Sequence, residues 1–129
     1  MIVDSSALVS LLLREPGWEP IAAALTTRAR VAIGAPTLTE TAIVLHAKGA
    51  PPSLLPAALQ RTRMEVVPFT ERHALVAADA FATYGRGRHP ASLNFGDCMT
   101  YAVARLAQVP LLFIGNDFAL TDLEPALTT

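Results

Sequence analysis

The sequence has one cysteine, Cys98, and one lysine, Lys48. A lone thiol closes no disulfide within the chain and builds no zinc site by itself, so a disulfide scaffold and a zinc module are both excluded and a reducing cytoplasm is the expected setting. Charge is scarce as well: Asp, Glu, Lys and Arg make up 16% of the 129 residues, against about 25% in an ordinary soluble domain. Ten basic residues face eleven acidic ones, for a net charge of −1 and a pI near 6.3. The overall positive field by which many nucleic-acid binders capture their targets is therefore missing, and any such contact has to be local. Long apolar runs are missing too. The longest stretch without an acidic or basic side chain, Gly49 to Gln60, has twelve residues and three prolines, whereas a membrane span needs about 20 apolar residues. No membrane association is expected. Met1-Ile2-Val3 runs straight into Asp4 without the basic start and apolar stretch of a secretory signal, so the mature protein is expected to begin at Met1.

What the chain does have is material for a core. A hydrophobic share of 52% and a mean hydropathy of +0.40 exclude intrinsic disorder and describe one compact domain over residues 1–129. Ile2-Val3 is a short apolar start, after which Ala7, Leu8, Leu11 and Leu12 recur at helical spacing. Gly17 interrupts, and Trp18, Ile21, Ala22 and Leu25 resume a helical pattern up to Arg28. Val31-Ala32-Ile33 reads as a second strand closed by Gly34, with Pro36 at a suitable first helical position. The helix that follows is expected to turn Leu38, Ala42, Ile43 and Leu45 inward and to stop near Lys48-Gly49.

Ser53 is placed to cap a further helix to about Arg61, and Met64 to Val67 reads as a third strand. A helix opens at Thr70 and runs to Tyr84 with Leu75, Val76, Ala78, Ala80 and Phe81, and a loop spans Gly85 to Pro90. From Asn94 a helix carries Met99, Ala102, Val103 and Leu106 on one face, and Leu111 to Ile114 reads as a fully buried strand. Short apolar strands separated by helices, without two-residue hairpin turns, predict right-handed crossovers: an α/β fold, a three-layer α/β/α sandwich around a short central parallel sheet.

Open parallel sheets bind ligands beyond the carboxyl ends of their strands, and four acids fall there. Asp4 follows the first strand, Glu40 lies about a turn into the helix after the second, Asp97 is in the first turn of the helix opened by Asn94, and Asp117 follows the last strand. Their immediate neighbours carry no countercharge, so mutual repulsion has to be relieved by proton uptake or by a cation. Oxygen-only donors point to Mg²⁺ or Mn²⁺ rather than Zn²⁺, and carboxylate-held divalent ions that activate water are the usual means of hydrolysing a phosphodiester. Each acid alone also fits a plainer part: Asp4 and Asp117 as helix caps, Glu40 and Asp97 as partners of helix dipoles.

The segments that carry these acids resemble the PIN-domain ribonucleases, and more closely their VapC-type toxins. The blocks are Met1-Ile2-Val3-Asp4-Ser5-Ser6-Ala7, Ala35-Pro36-Thr37-Leu38-Thr39-Glu40, the stretch Tyr84 to Ala91, Leu93-Asn94-Phe95-Gly96-Asp97-Cys98, and Leu111 to Phe118. Together they cover nearly the whole chain in order. The resemblance implies that Asp4, Glu40, Asp97 and Asp117 form an acidic quartet for Mg²⁺, with Mn²⁺ able to substitute, and that Ser6 and Asn116 support it. Relatives of this kind sometimes carry a second Asp where Asn116 stands. It further implies an endoribonuclease of cellular RNA, neutralised by a cognate VapB-type antitoxin whose C-terminal segment fills a groove, and commonly a homodimer.

Arg86, Arg88 and His89 lie in a glycine-bearing loop leading to Asp97 and are the candidates for phosphate contact, against the plainer reading of a solvated loop. His46 and His73 have no metal-ligand spacing and are read as structural, Cys98 as facing the core, and Asp122 as either a surface cap or an aid to the acids. A domain of this size buries roughly two-thirds of its unfolded surface, so apolar area is expected to remain outside for a partner. Three other functions share parts of this pattern. A phosphoacceptor signalling domain needs a lysine after a late strand, yet Lys48 lies elsewhere; a haloacid-dehalogenase-like enzyme needs an acid at position 6, where Ser6 stands. A non-catalytic binding module of the same fold would leave the acids as caps.

Overall fold

A computed structural model describes residues 1–127. The sheet forms from four very short strands, β1 (Ile2–Val3), β2 (Ala32–Gly34), β3 (Glu65–Val67) and β4 (Leu111–Leu112), in the order β3-β2-β1-β4. All pairings are parallel, with Ile2 opposite both Ala32 and Leu111, and Val3 opposite Leu112. The strand period of two then divides the core. Val3, Ile33 and Leu112 face one layer, formed around Leu8, Ile21, Leu25, Leu45 and Leu55. Ile2 and Leu111 face the other, formed around Ala77, Ala80, Leu93, Ala102 and Phe118.

The helices are α1 (Ser5–Leu13), α2 (Trp18–Thr27), α3 (Ala35–Ala47), α4 (Leu54–Thr62), α5 (Glu71–Tyr84) and α6 (Phe95–Ala107). Residues from α1, α2 and α4 supply the first layer and residues from α5 and α6 the second, while α3 packs against both α1 and α6. The expected three-layer α/β/α sandwich is thus the architecture present.

Several local expectations are corrected. The last strand ends at Leu112 instead of Ile114, and Ile114 is 40% exposed. Its backbone N–H leaves the ladder to donate to Ser6 Oγ at 3.0 Å, which turns the chain out of the sheet. On α3, Ala42 and Ile43 are exposed and Thr37 and Thr41 are buried. The threonines go inside because their hydroxyls are satisfied there: Thr37 Oγ1 pairs with Thr100 Oγ1 at 2.7 Å, and Thr41 Oγ1 donates to the Thr37 carbonyl at 2.8 Å. On α5, Leu75, Ala78 and Phe81 face outward and Ala77 and Ala80 inward, since close approach to α6 admits only small side chains there. Ser53 precedes α4, but its side chain makes no capping bond.

The close fit between sheet and helix gives a stability prediction. Gly34 ends β2 and caps α3, and a Cβ there would lie 2.7 Å from Cγ2 of Val103, which is buried in α6. Gly34→Ala overpacks this contact and is expected to cost about 1–3 kcal/mol. Thermal unfolding checks it, and an unchanged melting temperature would show that the sheet and α6 are less tightly joined than described.

Candidate active site

Because the strands are parallel, their carboxyl ends share one edge of the sheet, and the acids arrive there from four separate segments. Asp4 is the N-cap of α1 and only 4% exposed. Its Oδ2 accepts from the Ser6 N–H at 3.1 Å and from Ser6 Oγ at 2.6 Å. Ser6 Oγ in turn accepts from Ile114 N–H, so one hydroxyl ties the first acid to the segment that carries Asn116 and Asp117. Among the described residues the one buried side-chain N or O atom without a partner is Ser10 Oγ; Asp4 Oδ1 makes no hydrogen bond and so reaches solvent.

Glu40 stands in the second turn of α3 with Oε1 accepting from Ser5 Oγ at 2.7 Å. Its other oxygen lies against the backbone of Gly96, where an added Cβ would come within 2.4 Å of it. Asp97 is the third residue of α6 and closes a capping box: Oδ2 accepts from Asn94 N–H at 3.0 Å while Asn94 Oδ1 accepts from Asp97 N–H at 2.8 Å. Asp117 is exposed and begins the 3₁₀ turn Phe118–Leu120 without a side-chain capping bond. Asn116 is exposed beside it, after Gly115 in the left-handed region at φ 106°.

Electrostatics connects the four. The Asp97 carboxyl is pushed up to about 6, first by burial and then by the negative charges of Asp4, Asp117 and Glu40, against the opposing pull of its Asn94 hydrogen bond. Asp122 is not among the charges that act on it. That carboxylate accepts from Tyr101 OH at 2.6 Å and lies 3.9 Å from Arg105, which makes it a brace for α6. The Cys98 thiol is buried and its pKa is raised by that burial, so it is an unreactive core group.

Among the described residues no three His, Cys, Asp or Glu side chains are gathered into a ready-made cation cage. The four acids share a field rather than a coordination sphere. That suits Mg²⁺, which keeps several waters and needs only one or two protein carboxylates. The donors are hard oxygens, and Asp4 and Asp97 each keep one oxygen outside any hydrogen bond. The residues present therefore fit a Mg²⁺-type ion.

The loop from Gly85 to Leu93 is closed by backbone bonds between Arg86 N–H and Leu93 O and between Leu93 N–H and Tyr84 O. Arg86 and Arg88 are exposed and have no carboxylate partner among the described residues. His89 is engaged in the loop itself, with Nδ1 accepting from Ala91 N–H at 3.0 Å and its ring edge-on to Tyr84. Three contributors were not singled out in the sequence: Ser5, Asn94 and Gly96. Asn94 had a readable signal, the Asn-x-x-Asp spacing of a capping box; the contacts of Ser5 and Gly96 with Glu40 had none.

A family model for the PIN domain matches residues 1–123. The chain belongs to the PIN-domain family, among the VapC ribonucleases. Ribonuclease VapC36 of Mycobacterium tuberculosis is 48% identical over 129 residues, covering 96% of this chain and 91% of that protein. Ribonuclease VapC28 of the same organism is 40% identical over 130 residues, with 98% of each chain covered. The fold of this PIN domain also resembles two solved structures, Mycobacterium tuberculosis VapC20, described as a Sarcin-Ricin loop cleaving toxin, and a toxin-antitoxin complex from Klebsiella pneumoniae. The first has a TM-score of 0.73 at 18% identity, covering 96% of this chain and 98% of that one. The second has a TM-score of 0.73 at 20% identity, covering 99% and 95%.

Proposed function

We propose that this PIN-domain chain acts as a single unit, a Mg²⁺-dependent endoribonuclease toxin that hydrolyses phosphodiester bonds of cellular RNA. What carries the reading is the PIN-domain match over residues 1–123 and the 48% identity to Ribonuclease VapC36, together with the three other acids from distant segments whose charges reach the half-buried Asp97 carboxyl. Asp4 and Asp97, each with an oxygen outside any hydrogen bond, would hold the ion, Glu40 and Asp117 would add negative charge beside it, and Ser6 and Asn116 would orient the surroundings. When bound, the ion supplies water activation and charge neutralisation at the scissile phosphate. Ser6 hydrogen-bonds Asp4 and Ser5 hydrogen-bonds Glu40, so two of the acids are held in place before substrate arrives. Arg86 and Arg88 supply local positive charge for the RNA backbone, which an overall charge of −1 cannot.

The same reading includes a cytoplasmic homodimer held inactive by a VapB-type antitoxin. An apolar hollow of about 420 Å³ between α3 and α4, lined by Leu38, His46, Pro52, Leu55 and Leu59, is a suitable berth for an apolar antitoxin segment. No described helix is long and apolar enough to cross a membrane.

The test is cleavage of total cellular RNA by purified protein with Mg²⁺ or Mn²⁺, against EDTA and against Asp4→Asn. Discrete fragments are expected from the metal-loaded native protein alone. Millimolar Mn²⁺ is also expected to raise the melting temperature of the native protein and not of Asp4→Asn. Absence of both effects would leave the acids in structural parts only, in a non-catalytic module.

A further inference from the structure

Ser10 is 3% exposed, and its Oγ is the one buried side-chain N or O atom among the described residues that has no hydrogen-bond partner. A buried hydroxyl without a partner is destabilising, and such a group points to a ligand or water that completes it. Ser10 lines a hollow of about 310 Å³ that runs along one face of α1. Ser5, Ser6, Val9 and Ser10 share that face because positions i, i+1, i+4 and i+5 of a helix lie together. Val44 on α3 and Ile114, 40% exposed just after β4, form apolar walls. At one end Ser5 Oγ donates to Glu40 Oε1 and Ser6 Oγ to Asp4 Oδ2, so the hollow begins where two of the acids are held. At the other end stands Glu15, whose carboxylate is paired with Lys48 Nζ at 3.1 Å.

We infer, on the ribonuclease reading, that this hollow receives a nucleobase next to the scissile phosphate, with the Ser10 hydroxyl bonding the edge of the base. Three properties favour a base. The first is shape and polarity: a base is apolar on its faces and polar at its edge, and the hollow has apolar walls in Val44 and Ile114 and an unused hydroxyl in its depth. That hydroxyl both donates and accepts, whereas an apolar side chain of a protein partner seated there would seal it off unbonded, at the full cost of its desolvation. The second is position: Asp4 and Glu40 are held by hydroxyls of the same face of α1, so a phosphate presented to those acids has its neighbouring base beside the recess. The third is charge: Lys48 neutralises Glu15, so the hollow adds no unpaired negative charge to the path of an RNA strand. The hollow also lies outside the apolar face of Ile43, Leu75, Phe81 and Phe95, none of which lines it. Ser10 is thereby a specificity residue for one position beside the cut.

Ser10→Ala removes the hydroxyl and little else. Its melting temperature is expected to equal or exceed the native value, since the lost group has no partner in the fold and alanine favours a helix. The four nucleoside 5′-monophosphates are titrated into the native protein, in Mg²⁺ and again in EDTA, while the methyl resonances of Val9, Val44 and Ile114 are followed. At least one nucleotide is expected to shift all three residues, and Ser10→Ala to bind it about 2- to 12-fold more weakly, the span of one lost hydrogen bond. Sequencing of fragment ends from total RNA is expected to show a base preference at one position beside the cut, which Ser10→Ala reduces by a similar factor. Methyl groups that no nucleotide moves would overturn the inference. So would native affinity or native fragment ends in Ser10→Ala, which would leave the hydroxyl to a water, and so would a lowered melting temperature, which would show the hydroxyl to be bonded within the fold. If the native protein cuts no RNA, the ribonuclease reading fails by itself; nucleotide titration in EDTA needs neither metal nor cleavage and still decides the hollow.

Discussion

Asp97→Asn is expected to reduce RNA cleavage to the level of the EDTA-treated native protein while making the metal-free fold more stable at neutral pH. The two effects have one origin. Burial and the charges of Asp4, Asp117 and Glu40 raise the Asp97 carboxyl from 3.8 to about 6, so its ionised form is held at a cost that a bound cation would offset. Two pKa units correspond to about 3 kcal/mol, and solvent screening of this half-exposed side chain reduces the cost to about 1–2 kcal/mol. Asparagine keeps an oxygen to accept from Asn94 N–H and so retains the capping box. The sign of the pH dependence follows from linkage. Between about pH 4 and pH 6 the folded chain holds a proton at Asp97 that the unfolded chain has released, so native stability in EDTA falls as pH rises through that window. The variant lacks this slope. Its advantage in melting temperature is expected to be nil near pH 4 and full above pH 6, at roughly 3–10 °C. A variant that still cleaves, or whose advantage is the same at every pH, would remove Asp97 from the role proposed for it.

The layer order and the edge of the sheet at which the acids arrive were legible in the sequence, because three of the four strands are short apolar runs followed by Asp4, Gly34 or the Gly115 turn and each crossover carries a helix. Which side of each helix points inward was less legible. Thr37 and Thr41 read as polar, yet their hydroxyls are satisfied by Thr100 and by backbone within the fold, and periodicity assigned Ala42 and Ile43 to the core instead. Leu75 and Phe81 belong to the apolar pattern of α5, yet both face outward, because α6 approaches α5 so closely that Ala77 and Ala80 fill the space. Non-local polar contacts left no mark at all. Ser5 with Glu40 spans 35 residues and Ile114 with Ser6 spans 108, and both depend on the sheet register having already formed. The sequence could place four acids at strand ends; that Asp97 is the one the other three press upon required the three-dimensional arrangement.

Gly96→Ala is expected to separate site geometry from stability. Alanine is favoured over glycine by up to about 1 kcal/mol within a helix, and Gly96 is the second residue of α6 with no positive φ to protect. By propensity alone the change is neutral or stabilising. The added Cβ, however, would lie 2.4 Å from Oε2 and 3.2 Å from Cδ of Glu40. That obstacle is the far end of a flexible side chain, so the carboxylate yields and the backbone stays. In yielding, Glu40 gives up the 2.7 Å bond from Ser5 Oγ and swings away from Asp97. Displacement of a positioned group by about 1 Å is enough to cost on the order of 100-fold in rate, and a loss of at least that size is expected with a melting temperature equal to or above native. The contrast with Gly34→Ala is physical: there the Cβ meets the buried Val103 side chain, which has nowhere to go, so stability falls. Because the Gly96 effect acts through Glu40, adding Gly96→Ala to Glu40→Ala is expected to reduce activity no further than Glu40→Ala alone. Near-native cleavage by Gly96→Ala, or losses that multiply in the double variant, would show that the Glu40 carboxylate does not work from the position it occupies against α6.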